Sequence, residues 1–184
     1  MQLIQAIEID PEKYVAEEHE RTLRPPDQCP HCGGIKTLWA LGYYVRHLSR
    51  MGPGALSLSI RRFRCCGCKK TVSILPAFAQ PYRFVQNRTI ELFARGAPYC
   101  DEVIRHIDVL SHYWKRFCNK RAELERTLID ALGRAPPNDP KKAWASLVNH
   151  FQGLDGTTRN LTSHFQITLF GRYRCHRPNE EAAK

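Results

Sequence analysis

The chain has 184 residues, enough for one ordinary domain with a buried core or for two small modules, and we expect two modules, one held together by metal. Residues 1–10 have no basic start and lead to no long apolar run, so we expect a soluble, cytoplasmic protein without a membrane partner. Eight cysteines in such a chain point to bound metal rather than to disulfides, because thiols stay reduced inside the cell.

The positive charge is concentrated in the middle of the sequence. The formal net charge of the chain is +10. Residues 1–30 hold three Lys or Arg against seven Asp or Glu, whereas residues 31–98 hold eleven against one. A basic region of this kind attracts phosphate backbones by releasing their counterions. The alternative is a solvated basic surface that only keeps the protein soluble.

The first segment, residues 1–28, is predicted to be acidic and to end at a proline-marked boundary. A short apolar stretch before Pro11 indicates a short strand or one turn of helix. A charged, acidic stretch then indicates an exposed helix, and Pro25-Pro26 marks a boundary.

A β-hairpin is predicted next. Residues 37–47 and 56–64 are rich in β-branched, aromatic and leucine side chains, and a glycine and proline loop at 51–54 separates them. Apolar residues alternate with polar ones from Leu56 to Ile60, which predicts a strand with one buried face. We therefore expect Arg61 to point to solvent.

Helices are predicted after the hairpin. One should stop at Gly96, and a second, short one should run from about residue 100 to residue 107. Ser111 suits the N-cap of a longer helix, whose apolar residues recur at spacings of three, four or seven before Gly133. Asp139, followed by a proline, is predicted to begin another helix.

Four cysteines form two chelating pairs, Cys29 with Cys32 and Cys65 with Cys68. The tight turn of a CxxC segment lets two thiolates converge on one metal ion, and the predicted hairpin brings the second pair back to the first. Only Cys65 keeps this spacing, so we expect the adjacent Cys66 not to bind. Four protein ligands close a tetrahedron, which predicts one structural Zn²⁺ with no open position for a substrate.

Several of these residues carry a family resemblance. They are CPHCGG from Cys29, GYYVR from Gly42, RRFRC from Arg61 together with Cys68, and Thr71, Ser73, Leu75-Pro76 and Pro81. The stretch they span, about residues 29–81 with a weaker continuation to about 130, resembles the N-terminal region of bacterial insertion-sequence transposases and of related small transposon-associated proteins.

The resemblance implies a zinc ribbon followed by a helix-turn-helix, which together recognise transposon DNA. It assigns zinc to the four cysteines and DNA contact to the helix around Ser111-His-Tyr-Trp-Lys-Arg-Phe117. His112, Arg116 and Lys120 lie four residues apart on one side of that helix. The basic residues around the second cysteine pair are predicted to contact phosphates: Arg61, Arg62, Arg64, Lys69 and Lys70. For both sets the alternative is a solvated basic face.

The sequence departs from a complete transposase. Such enzymes need a ribonuclease-H-like domain whose acidic residues hold two divalent metals. About fifty residues follow the helical region, too little chain for that domain, and Leu154-Asp155-Gly156 reads as a turn. We therefore expect a non-catalytic accessory or regulatory protein that binds double-stranded DNA, with a transposase or another mobile-element protein as a candidate partner.

The predicted fold class is α+β, with an N-terminal four-cysteine zinc ribbon built on a β-hairpin and a helical domain containing a helix-turn-helix. The predicted divisions are an acidic segment at 1–28, the ribbon at 29–81, a helix-turn-helix-like region at 82–133, and a C-terminal helix with a basic tail at 134–184. Three alternatives stay open: an RNA-binding ribbon module, an adaptor that docks a partner enzyme, and an enzyme with an unrecognised site.

Overall fold

The structure is a computed structural model that describes residues 1–7, 9–50, 52–97 and 100–171. It is a mixed α+β structure, as predicted, with a four-stranded sheet and several helices. The strands are β1 (Gln2–Gln5), β2 (Leu38–Ser49), β3 (Ala55–Cys65) and β4 (Thr71–Pro76). The helices are α1 (Pro11–Ala16), α2 (Asn87–Ala94), α3 (Asp101–Arg105), α4 (Ile107–Leu132), α5 (Pro140–His150) and α6 (Leu154–Ser163). The predicted basic tail after residue 171 lies outside the described residues.

The sheet has the order β1-β4-β3-β2. Strands β2 and β3 pair in antiparallel fashion from Leu38 opposite Cys65 to Ser49 opposite Ala55, which confirms the predicted hairpin. Strand β4 returns along β3, and β1 joins β4 in parallel. The N-terminal residues therefore form one edge of the sheet and β2 forms the other.

A β-bulge interrupts the hairpin near the cysteines. Ala40 lies opposite Phe63 and Gly42 lies opposite Arg62, so Leu41 is an extra residue in β2. Successive residues of a strand face opposite sides of a sheet, and one extra residue reverses that alternation. As a result, odd-numbered residues of β2 lie on one face before the bulge and on the other face after it.

Both faces of the sheet are partly covered. On one face Leu56, Leu58 and Ile60 are buried, as their alternation predicts, in a cluster that includes Tyr14 of α1. On the other face Phe63 is buried in a cluster that also contains cysteines. This second face is therefore the one on which the cysteine pairs meet.

The helices pack around a third cluster. Phe117 of α4 is fully buried there, with its ring edge-on to Trp144 of α5 at a centroid distance of 5.2 Å. Gly96 and Gly133 follow α2 and α4 with φ of +79° and +68°, so both helices end where the sequence predicts. Asp139 caps α5 by accepting a hydrogen bond from the Lys142 N–H. Among the described helices, none combines the length and the apolar character that crossing a bilayer requires.

Two predicted helix details are wrong. Helix α4 begins at Ile107, so Ser111 lies inside the helix and is not its N-cap; the chain enters α4 directly from the end of α3 at His106. Residues 154–156 are the start of α6 rather than a turn. A Cβ atom at Gly156 would lie 2.0 Å from the Phe151 carbonyl oxygen, so this glycine serves close packing inside a helical segment.

The expected helix-turn-helix is not shown in the part of the chain that the structure describes. A single residue, His106, separates α3 from the 26-residue α4. A helix-turn-helix joins its two helices by a turn of about three to four residues. The exposed sides of α4 are therefore the surface of one long helix.

Candidate metal centre and the basic hairpin surface

Four cysteines, Cys29, Cys32, Cys65 and Cys68, come together at the end of the hairpin. Their sulfur atoms all lie within 4.8 Å of one another, with Sγ–Sγ distances of 3.8 Å between Cys29 and Cys68 and 3.7 Å between Cys32 and Cys65. These distances are far longer than the roughly 2.05 Å of a disulfide bond. The predicted four thiols are therefore close enough to hold one metal ion, and the exposed Cys66 lies outside their cluster.

The two CxxC turns share one backbone geometry. In the first, the Gly33 N–H donates to the Cys29 carbonyl over 2.8 Å, and Gly33 has a φ of +72°. In the second, the Lys69 N–H donates to the Cys65 carbonyl over 3.0 Å, and Lys69 has a φ of +62°. The fourth residue after each leading cysteine is thus left-handed, a conformation that glycine adopts at no steric cost and lysine does not.

The surroundings of the sulfurs differ between the pairs. Burial raises the pKa of Cys29 to about 12, whereas a hydrogen bond with the Thr37 hydroxyl, 3.2 Å from the Cys65 sulfur, lowers the pKa of Cys65 to about 6. A thiol as buried as Cys29 ionises at neutral pH only if a nearby cation compensates the thiolate charge. A metal ion bound by all four sulfurs supplies that compensation, so the donor set fits a metal chemically.

The hairpin surface carries positive charge that no carboxylate in the same stretch offsets. Residues 31–70 contain eight Lys or Arg and no Asp or Glu. Arg46 points inward and donates to the carbonyl oxygens of Gln80 and Arg83, and Arg50 lies 3.8 Å from a Glu12 carboxylate oxygen. Within the described ranges the remaining six form no ion pair: Lys36, Arg61, Arg62, Arg64, Lys69 and Lys70.

Arg61 and Arg62 lie on opposite faces of the hairpin. The Arg61 guanidinium stacks over the Tyr43 ring at 4.6 Å, on the face that carries the cysteines. The Arg62 guanidinium lies 5.8 Å from the centre of the Tyr44 ring on the other face. Arg61 points away from the buried face that carries Leu58, as predicted. It is half-buried rather than fully exposed because the Tyr43 ring covers it. A nucleic-acid backbone bound to one face of the hairpin therefore cannot contact both Arg61 and Arg62.

Three further predicted residues, Arg64, Lys69 and Lys70, are exposed at the second CxxC turn. The Arg64 Nε donates to the Lys69 carbonyl over 3.3 Å. This hydrogen bond keeps the Arg64 side chain beside the turn that carries Lys69. Trp39 lies opposite Arg64 in the hairpin and is 68% exposed. Sequence reasoning missed Trp39, because only the bulge after it places it on the Arg64 face.

The predicted residues of α4 are not equivalent. His112 and Arg116 are exposed, whereas Lys120 is half-buried. The Lys120 ammonium donates to the carbonyl oxygens of Thr168 and Gly171, at 3.3 Å and 2.5 Å, so it fastens the segment after α6 to the helix. Of the three residues, only His112 and Arg116 are therefore exposed enough to contact a ligand at the protein surface.

Comparison with known protein families gives a match to part of the chain. Residues 29–113 match a family described as a domain of unknown function (DUF6431). The chain is similar to this family over that stretch, which contains the four cysteines and the basic hairpin and ends within α4. No curated protein and no solved structure matches the chain. The relation to transposases stays a prediction.

Proposed function

We propose that this protein is a zinc-dependent, DNA-binding protein of accessory or regulatory type, related to transposases but without catalysis of its own. The observation that carries the proposal is the group of six cationic side chains without ion-pair partners among the described residues, beside a four-cysteine site. A polyanion supplies the charge that such a surface lacks, and its binding releases counterions.

The sulfur geometry fits the proposed zinc ion. Four sulfurs at about 2.3 Å from a tetrahedral zinc ion lie about 3.8 Å from one another. The Sγ–Sγ distances of 3.8 Å and 3.7 Å match that edge length. Four thiolates also close the coordination shell, so the proposed ion has a structural role and offers no site for activating water.

The proposed phosphate contacts centre on the second CxxC turn. Arg64, Lys69 and Lys70 are all exposed there, and Arg62 lies on the same hairpin face as Arg64. Arg61 has its guanidinium over a tyrosine ring and is proposed to contribute less. Contacts of this kind set affinity and salt dependence rather than sequence preference.

A second part of the proposal concerns α4. His112 and Arg116 are exposed on a helix that lies within the weaker part of the transposase resemblance. We propose that they contact base edges in the major groove, where an α-helix fits. Lys120 is proposed to act indirectly, by holding residues 168–171 against the helix.

The test compares two triple variants that remove the same charge. Arg64→Ala/Lys69→Ala/Lys70→Ala removes the proposed phosphate contacts, and Arg134→Ala/Lys141→Ala/Lys142→Ala removes three exposed cations elsewhere. On duplex DNA log K falls with log salt, and each lost contact makes that slope less steep by about 0.9, so the first variant should reduce its steepness by about 2.7. The control variant should keep the wild-type slope.

The measurement is duplex binding at several salt concentrations, with zinc content and circular dichroism checked for each protein. If the first variant is folded and zinc-loaded and retains the wild-type affinity and slope, the hairpin does not bind nucleic acid. In that event the adaptor alternative gains support.

A further inference from the structure

Trp39 is exposed to an unusual degree for a tryptophan. It is 68% exposed, and within the described ranges no ring or guanidinium stacks on it. The two other tryptophans, Trp114 and Trp144, pack against each other in the helical core, 5.9 Å apart between ring centres. A large apolar ring with a free face, placed on a charged surface, indicates a contact site.

The surroundings of Trp39 identify the chemistry of the contact. A cleft of about 320 Å³ is lined by Trp39, Arg64, Cys65, Cys66 and Lys69. It therefore combines one aromatic wall with two cationic side chains, and no carboxylate lines it among the described residues. An aromatic ring stacks on a planar base, and adjacent cations bind the phosphate attached to it.

We propose that this cleft binds one unpaired nucleotide, with the base stacked on the Trp39 indole and its phosphate held by Arg64 and Lys69. The proposal rests on the proposed nucleic-acid binding and adds to it a preference for exposed bases. Bases inside a duplex are already stacked on their neighbours, so only single-stranded, frayed or looped nucleic acid offers a free base face.

The four-cysteine site holds the backbone on both sides of the cleft in place. The Cys66 N–H donates to the Thr37 carbonyl over 2.8 Å, which ties the second CxxC turn to the start of β2. Leu38, the neighbour of Trp39, is buried in the cluster that contains Cys29 and Cys65. The backbone that carries the Trp39 ring is therefore fixed by the four-cysteine site. Binding a nucleotide then costs little free energy for ordering this part of the chain.

The experiment measures the affinity of the full chain for a single-stranded oligothymidine and for a duplex of equal length, at one salt concentration. Trp39→Ala should weaken single-strand binding roughly 5- to 150-fold, the range for loss of one stacked base. Duplex affinity should change by less than about two-fold, since phosphate contacts remain. Trp39→Phe should restore much of the single-strand affinity. Val45→Ala, an exposed apolar residue of the same strand, is the matched control.

Tryptophan fluorescence gives an independent readout. Stacking should quench the emission of Trp39 when the single strand binds, and Trp39→Phe should abolish most of that quenching. If Trp39→Ala, folded and zinc-loaded, binds the single strand like the wild type, or loses affinity for both forms equally, the nucleotide-binding cleft is refuted. The proposed function stands in that case, provided that the Arg64, Lys69 and Lys70 variant still loses affinity for duplex. If the wild type binds neither form, both proposals fail.

Discussion

Replacing Cys65 and Cys66 one at a time tests which of these two neighbouring cysteines binds the proposed metal ion. The Cys65 sulfur lies 3.7 Å from that of Cys32 and belongs to the four-sulfur cluster, whereas Cys66 is exposed and outside it. Structural zinc contributes about 10–16 kcal/mol of apparent binding free energy. If four sulfurs share it equally, loss of one costs about 2.5–4 kcal/mol, which corresponds to roughly a 60- to 700-fold weaker affinity for zinc.

The assay is zinc competition against a chromophoric chelator, followed by thermal unfolding of the loaded proteins. Cys65→Ser should show the loss of zinc affinity and a lower Tm, because Cys65 is also a buried residue of the sheet. Cys66→Ser should bind one zinc ion with wild-type affinity. Equal zinc affinities for the two variants would refute the ligand assignment, and a stronger loss in Cys66→Ser would reverse it.

Two other predictions concern stability and use chemical denaturation as the measurement. Gly33→Ala should destabilise the protein by about 1–2 kcal/mol, since alanine disfavours the +72° φ, whereas Gly67→Ala should have little effect because a Cβ there would lie 3.7 Å from the Cys65 sulfur, an ordinary van der Waals contact. Phe117→Ala should cost about 3–5 kcal/mol because its side chain is fully buried in the helical core, whereas Ile129→Ala, in a partly exposed position of the same helix, should cost far less. Similar values within either pair would contradict the reasoning.

The hairpin and the meeting of the cysteines could be predicted because both depend on local patterns. Strand residues alternate on either side of a glycine and proline loop, and in the sequence one cysteine pair precedes the hairpin while the other begins at its last residue. A hairpin returns the chain to where it began, so the pairs must approach each other. The choice of Cys65 over Cys66 follows from CxxC spacing alone, and the structure places only Cys65 in the cluster.

The exposed side of β2 could not be predicted in the same way. Alternation is a reliable guide only while two strands stay in register, and the bulge at Leu41 breaks that register. Its sequence signal is Gly42, an isolated glycine within the strand, which has a φ of +118°. Trp39 therefore appears from the sequence to lie on the same side as Tyr43, although the two residues face opposite sides of the sheet. Alternation alone therefore places this candidate contact residue on the wrong face of the sheet.

Long-range pairing could not be predicted either. Strand β1 has four residues and pairs with β4, which lies about seventy positions later, through contacts such as Gln2 opposite Ser73. A strand this short has too few residues for its periodicity to name a partner. The predicted start of α4 is wrong for a different reason: Ser111 favours an N-cap in isolation, but its position after α3 makes it an interior residue.

The metal site and the basic surface depend on the same backbone register. Cys65 is the last residue of β3 and pairs with Leu38, so a metal ion that holds Cys65 also fixes which residues of the two strands lie opposite each other. A slip of one residue would move Arg64 to the other face of the sheet and separate it from Trp39. The proposed zinc therefore does more than stabilise the turn, because it keeps a cation and an aromatic ring on one face.

On this reasoning, removal of the metal should abolish the preference for unpaired bases before it abolishes the general attraction to phosphate, which depends on net charge and not on register. Single-strand and duplex affinities measured along a chelator titration would check this order, and a parallel loss of both would contradict it.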